Sequence, residues 1–298
     1  MGSPDFAVPT LEFLAGNFTI KGVVTQPDRP AGRGKVLTPP PVKLSALQYG
    51  LEVIQPTRLR DPGVFEKLQE WNPDAIIVAA FGQILRENVL NLPPYGCINV
   101  HASLLPRWRG AAPIQAAILS GDEVTGITIM QMDAGIDTGR IFSQKELPIK
   151  ENETGIELGN RLAKLGAELL GETLPRILTG QLPTFPQDDS LATYAPKIEK
   201  SMGELDFSHS SAQLLRNIRA FHPWPGTQFN LDGQVIKVIK ARAVLPGILF
   251  PGKRGLHKGL PAIGTGDGDL VIEELQPAGK KPMSGKAFLQ GFKNWEIR

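Results

Sequence analysis

The sequence predicts an α/β domain followed by a linker and a small β-barrel, and three observations predict it. The first 180 residues alternate short apolar runs with amphipathic stretches, the pattern of a sheet covered by helices. Residues 74–80 (DAIIVAA) and 97–101 (CINVH) are continuous apolar runs, as strands buried on both faces of a parallel sheet require. In roughly the last hundred residues short strand patterns recur with Asp-Gly turns, which suits a small barrel.

The elements follow in order. Residues 7–16 read as a helix opened by Ser3-Pro4-Asp5, and 19–25 (TIKGVVT) as a strand. Residues 26–41 hold too many Pro and Gly for a helix or an inner strand. A helix over 42–49 stops at Gly50. After the two buried strands, 112–119 reads as a helix, and 125–132 and 140–149 as strands close enough in sequence to pair antiparallel. Residues 154–178 form one long amphipathic helix. Proline and a lost period make 180–202 a linker lying on the surface. Beyond it come a helix over 211–220 and hairpin patterns over 228–244 and 264–275, with turns at Asp232-Gly233 and Asp267-Gly268.

The 298 residues suit two domains, and 41% apolar with 21% charged residues excludes disorder as the main state. Lys+Arg and Asp+Glu nearly cancel, 32 against 30, which excludes binding by bulk charge. The parts differ: residues 1–200 carry 19 basic and 22 acidic residues, and 201–298 carry 13 and 8, which leaves the C-terminal part at +5 and open to a polyanion. The one cysteine, Cys97, excludes a disulfide framework and a cysteine-built zinc site, and the four histidines have no metal-ligand spacing. No apolar run is long enough to span a membrane, and no signal-peptide pattern opens the chain, so a cytoplasmic location is expected.

Four segments can carry chemistry. Asn99 and His101 end a strand two residues apart, so an amide and an imidazole share one side at the mouth of a crevice. Such a pair polarises a carbonyl and shuttles a proton, or is merely a hydrogen-bonded strand end. The loop 133–139 (DAGIDTG) sets two carboxylates among glycines; one can orient His101, or both can simply make a turn. The loop 26–35 (QPDRPAGRGK) offers three cations suited to phosphate, or a solvated surface. Arg107-Trp108-Arg109-Gly110 offers a stacking platform, or a half-buried tryptophan between exposed arginines. Neither GxxxxGK[ST] nor GxGxxG in context is present, and G-x-S-x-G and H-E-x-x-H are absent.

Taken together, PDF at 4–6, TQPDRPAGRGK at 25–35, CINVHASLLPRWRGAAPIQ at 97–115, ITIMQMDAGIDTG at 127–139, IRAFHPWP at 218–225 and LQPAGKKPMS at 275–284 resemble the methionyl-tRNA formyltransferase family along essentially the whole chain. The resemblance implies a Rossmann-like formyltransferase domain with a parallel-sheet core at 1–182, a linker at 183–203, and an OB-like β-barrel domain that binds tRNA at 204–298. It implies formyl transfer from 10-formyltetrahydrofolate to the α-amine of initiator methionyl-tRNA by a monomer, with no metal and no nucleotide cofactor. By position, Asn99, His101 and Asp137 match the catalytic trio. Ser103, Leu104, Leu105 and Pro106 match the folate-binding segment, and Arg33 and Lys35 fall in the loop used on the acceptor stem. His222 stands where the family usually has Asn, a departure read as harmless. The alternatives are an amino-sugar-nucleotide formyltransferase, which the Arg/Gly-rich loop disfavours, a formyltetrahydrofolate hydrolase, and an RNA-binding module without activity. The resemblance also implies a short apolar strand ahead of Met1-Gly2-Ser3-Pro4, so Met1 is expected to be an internal methionine and a chain that starts there to fold poorly.

Overall fold

A computed structural model describes residues 1–31, 34, 36–292 and 295. The chain divides into two compact units: Met1–Pro113 with Val124–Pro148 and Leu158–Pro196, and Ile114–Glu123 with Ile149–Glu157 and Lys197–Arg298.

The first unit begins with α1 (Val8–Asn17), β1 (Val23–Val24), the hairpin strands β2 (Arg29–Ala31) and β3 (Val36–Thr38), α2 (Pro41–Gln48), β4 (Val53–Ile54) and α3 (Val64–Trp71). There follow β5 (Ile76–Val78), α4 (Glu87–Leu90), β6 (Cys97–His101), β7 (Arg109–Gly110), α5 (Pro113–Ser120), β8 (Val124–Gln131), β9 (Ile141–Pro148), α6 (Gly155–Leu178) and β10 (Tyr194–Ala195). From Ile114, α5 belongs to the second unit.

Parallel pairing joins β1 to β4 and β5 to β6. The sheet then turns antiparallel through β6–β8 and β8–β9, as the closeness of the last two in sequence predicts. Every residue of β6 is buried, which is why its sequence shows no alternation. One of its covers is α6, whose buried Leu158, Leu162, Leu165 and Leu169 recur at helical spacing. At Gly166 an added Cβ would stand 2.8 Å from Val100 Cγ1, so the missing side chain lets the helix press onto the strand.

Between β1 and β5 the strand position is held by Met1 and Gly2. The Met1 amine donates to Ile77 O at 2.6 Å, Gly2 N donates to Val24 O at 3.1 Å and Ala79 N donates to Met1 O at 3.0 Å. Alongside them lies a cavity of about 440 Å³ lined by Leu11, Leu14, Val23, Ile76 and Leu174 among others. The strand expected over 19–25 is reduced to Val23–Val24, since 19–22 line this cavity and pair with no strand. The expected elements do not include α3, although Val64 and Leu68 are buried at i, i+4 and Asn72 ends it in a left-handed conformation at φ +43°.

In the second unit, α7 (Ser211–Ala220) is capped by the Ser210 side chain, which accepts from Gln213 N. A six-stranded sheet follows: β11 (Thr227–Leu231), β12 (Gln234–Val244), β13 (Arg254–His257), β14 (Leu260–Gly264), β15 (Asp269–Pro277) and β16 (Met283–Ser284), then α8 (Gly285–Gly291). All its ladders are antiparallel, in the order β11–β12–β15–β14–β13, with β16 also on β15. Asp232 (φ +50°) and Gly233 (φ +84°) make the tight β11–β12 turn, as Asp-Gly predicts. Among the described residues no ladder returns from β13 to β11. The outer edge of β11 is instead taken by 204–205, with Leu205 N donating to Gln228 O at 2.8 Å. Backbone pairing among the described residues thus draws an antiparallel sheet without closing it into a barrel. Its core includes Leu214, Ile236, Leu270, Ile272 and Leu275, all wholly buried. No helix among the described residues is long and apolar enough to cross a membrane.

Candidate active site

Asn99 and His101 leave β6 on the same side, buried at 9% and 5% exposure. The loop between β8 and β9 brings Asp137 to them. Its carboxylate accepts from Asn99 Nδ2 at 3.3 Å through Oδ1, and Oδ2 lies 3.6 Å from His101 Nδ1. Gly110 N donates to the same Oδ2 at 2.9 Å. The other imidazole nitrogen, Nε2, is 3.0 Å from Trp108 O; a carbonyl only accepts, so Nε2 carries a proton in that bond. The imidazole is thus anchored through Nε2. Nδ1, Asn99 Nδ2 and the carboxylate meet at separations longer than good hydrogen bonds.

The two carboxylates of the loop have different work. Asp133 Oδ1 accepts from Gly135 N at 3.1 Å and Thr138 Oγ1 at 2.7 Å, so it closes the turn. Asp137 sits at φ +53°, a left-handed conformation that Asp tolerates better than most residues and that turns its side chain to β6. Spacing alone does not choose between the two.

The folate-segment candidates split. Ser103 is fully buried and donates to Arg107 O at 2.6 Å. Leu105 is buried with Met130 and Ile141. The segment is tied down by Thr128, whose hydroxyl donates to Ser103 O at 2.7 Å and accepts from Leu105 N and Gln144 Nε2. Leu104 and Pro106, partly exposed and next to a cis Leu105-Pro106 bond, are the two with surface to offer a ligand.

Arg107 and Trp108 answer the second reading of their segment. Arg107 is exposed and its guanidinium lies 4.4 Å from the Trp108 ring centre, while Trp108 is half-buried. Arg109 departs from it: only 2% exposed, it donates to Gln187 Oε1 from Nε at 3.0 Å and Nη2 at 2.9 Å, and pairs with Asp189 at 2.6 Å. Burial disfavours its charge, but Asp189 and Tyr194 more than offset this and hold its pKa above the usual arginine range. Gln187 Nε2 in turn donates to Asp137 O at 2.8 Å and Gly139 O at 2.7 Å. Thr193 adds its hydroxyl, which accepts from Trp108 N at 2.9 Å, and β10 pairs in parallel with β7. These residues come from the stretch read as a surface linker. Nothing in its composition signals that half of it packs against the site.

In the basic loop, Arg33 and Lys35 lie outside the described residues. Asp28 is engaged by Lys43 at 2.8 Å and by Gln55 at 2.7 Å, which hold its carboxyl below the usual range. It therefore answers Lys43. The Cys97 thiol is pushed up to about 12 by burial, the opposite of a nucleophile's need. Among the described residues no group of three His, Cys, Asp or Glu could hold a metal ion.

Comparisons with known proteins identify the family. A family profile described as formyl transferase matches residues 11–174, and one described as formyl transferase, C-terminal domain, matches 197–293. The chain is 46% identical to the methionyl-tRNA formyltransferase of Geobacter metallireducens over 98% of this chain and 94% of that one. It is equally similar to those of Myxococcus xanthus, over 98% and 94%, and Geobacillus thermodenitrificans, over 98% and 92%. Among solved structures it is similar in fold to WlaRD, a sugar 3N-formyltransferase crystallised with dTDP and 5-N-formyl-THF. That likeness has a TM-score of 0.68 at 21% identity, over 94% of this chain and 97% of that one. An N-formyltransferase from Helicobacter canadensis, solved with folinic acid and dTDP-3-aminofucose, gives 0.67 at 20% identity, over 91% and 96%.

Proposed function

The chain belongs to the methionyl-tRNA formyltransferase family, and we propose that it moves a formyl group from 10-formyltetrahydrofolate to the α-amine of initiator methionyl-tRNA, in the cytoplasm and as a monomer. The observation that carries this reading is the convergence of Asn99, His101 and Asp137 at the end of β6.

The methionine amine attacks the formyl carbon and the carbonyl electron pair moves onto oxygen. Asn99 Nδ2 and protonated His101, through Nδ1, stabilise that oxyanion. Asp137 accepts the proton lost by the attacking nitrogen. Collapse of the tetrahedral intermediate breaks the bond to N10 of the folate, which takes up the proton held by Asp137 and so restores the carboxylate. Holding both substrates in one crevice supplies the orientation. Leu104 and Pro106 are the apolar surface for the pterin, while Ser103 and Leu105 shape the segment from within.

We assign Arg33 and Lys35 to the acceptor stem, and 204–298, read as an OB-like domain, to the tRNA backbone. Residues 1–182 hold the folate and the chemistry, and 183–203 join the two. Support for the loop assignment is the exposure of the neighbouring hairpin strand, where Val36 and Leu37 are 68% and 66% exposed. The test is incubation with 10-formyltetrahydrofolate and either methionyl-tRNA, an amino-sugar nucleotide or no acceptor. Formylation of the tRNA alone is expected. Formylation of the sugar nucleotide, or folate hydrolysis as fast without acceptor as with it, would overturn the reading.

A further inference from the structure

We propose that Gln187 is a positioning residue that sets the Asp137 carboxylate from outside the site, through the backbone of its loop; this rests on the catalytic reading of Asp137 given above. Gln187 uses its whole hydrogen-bonding capacity in one direction. Both amide hydrogens go to the Asp137 and Gly139 carbonyls, and both oxygen lone pairs take donors of Arg109. An amide is nearly symmetric in shape, and by itself could turn over and face two carbonyls with its oxygen. Arg109 forbids that. Turned over, Gln187 would set its NH₂ against two guanidinium N–H groups and its oxygen against two carbonyls. A buried cation is costly unless it is paired and hydrogen-bonded; here Arg109 is bonded on one side to Asp189, whose side chain is 83% exposed, and on the other to Gln187.

The consequence falls on Asp137. Its φ of +53° is a conformation few residues hold without outside help, and Gln187 supplies it by clamping the carbonyls of Asp137 and Gly139 together. The same stretch braces the opposite wall. The Ala195 backbone lies against Gly110, with Ala111 N donating to Ala195 O at 2.9 Å, and Gly110 N holds Asp137 Oδ2. Residues 187–195 therefore reach both ends of the catalytic carboxylate from behind the loops that carry it.

The experiment is a double-mutant cycle on the full chain, read as kcat and KM for folate and for methionyl-tRNA. Gln187→Glu keeps an acceptor for Arg109 but loses both donors to the loop. It should lower kcat by about ten- to a hundredfold, as small misplacement of a catalytic group does, with both KM values nearly unchanged. In an Asp137→Asn background the same substitution should change kcat by no more than about twofold, because coupled residues fail to add. Gln187→Met, which keeps the length and loses all four bonds, is measured in the same cycle in case the glutamate variant does not fold. Equal losses in both backgrounds, or a loss confined to KM or to the melting midpoint, would overturn the positioning role while leaving Asp137 as the base. Normal turnover by Asp137→Asn alone would overturn the catalytic reading, and this inference with it.

Discussion

Thr128 shows how much one hydroxyl decides. It is wholly buried, and it satisfies Ser103 O, Leu105 N and Gln144 Nε2 at once. Thr128→Val keeps the shape and leaves two backbone groups unpaired in the interior, so stability should fall by about 1–3 kcal/mol in a denaturant melt. The KM for folate should rise, since the segment 103–106 loses its tether. Cys97 is the contrasting case, a thiol at 0% exposure at the start of β6. With its pKa at about 12 it should stay unalkylated by iodoacetamide near pH ~8 in the native protein and react once the protein unfolds. Alkylation at the same rate in both states would contradict the burial. At this scale the shared side of Asn99 and His101 is legible from strand periodicity, because i and i+2 point alike, but their role comes only from the resemblance. Between Asp137 and Asp133, type and spacing do not choose: the resemblance singles out Asp137, and the structure separates the two by their partners.

Among the elements, the one that departs most from expectation is the stretch after α6. Its prolines and lack of period describe its local conformation well, for it forms no α-helix and only the short β10. They say nothing about what it packs against, because irregular segments bury themselves through single side chains and short bridges rather than a periodic face. Gly110 exposes the dependence. It sits at φ +115°, and an added Cβ would lie 2.6 Å from the Ala195 carbonyl oxygen. Gly110→Ala should therefore cost about 1–3 kcal/mol, push β10 off β7, and lower kcat as Gly110 N leaves Asp137. A variant with unchanged melting and turnover would show that the close approach of Gly110 to Ala195 is not needed. The sequence predicts elements buried either along an unbroken run, as β6 and β8 are, or with a period, as β9, α6 and α7 are. The two-residue β4 lacks the length that makes a period visible, whereas α3 is as long as α2 and α5 and carries its buried Val64 and Leu68 at i, i+4.

For the molecule as a whole, charge is the property the sequence shows most directly, and the structure trims it. The C-terminal excess of +5 includes Lys240, paired with Glu273 at 3.4 Å, and Arg254, paired with Asp232 at 3.4 Å. Lys237, Lys253, Lys280 and Lys281 have no ion pair among the described residues and remain the candidates for phosphate. Lys280→Glu with Lys281→Glu should weaken tRNA binding and flatten its dependence on salt, by roughly one unit of log-log slope for each phosphate no longer bound. An unchanged slope would remove these residues from the interface. The proposed function places catalysis in the other unit, with Asn99, His101 and Asp137 assigned to the transition state and the segment 103–106 to the donor. Single-turnover transfer from 10-formyltetrahydrofolate to methionyl-tRNA by His101→Ala, with folate affinity measured separately on the same protein, tests this most directly. The expected rate is lower by about 10²–10⁴-fold with folate affinity changed little, as for loss of an acid or oxyanion group. A near-normal transfer rate, or a loss explained wholly by weaker folate binding, would contradict it.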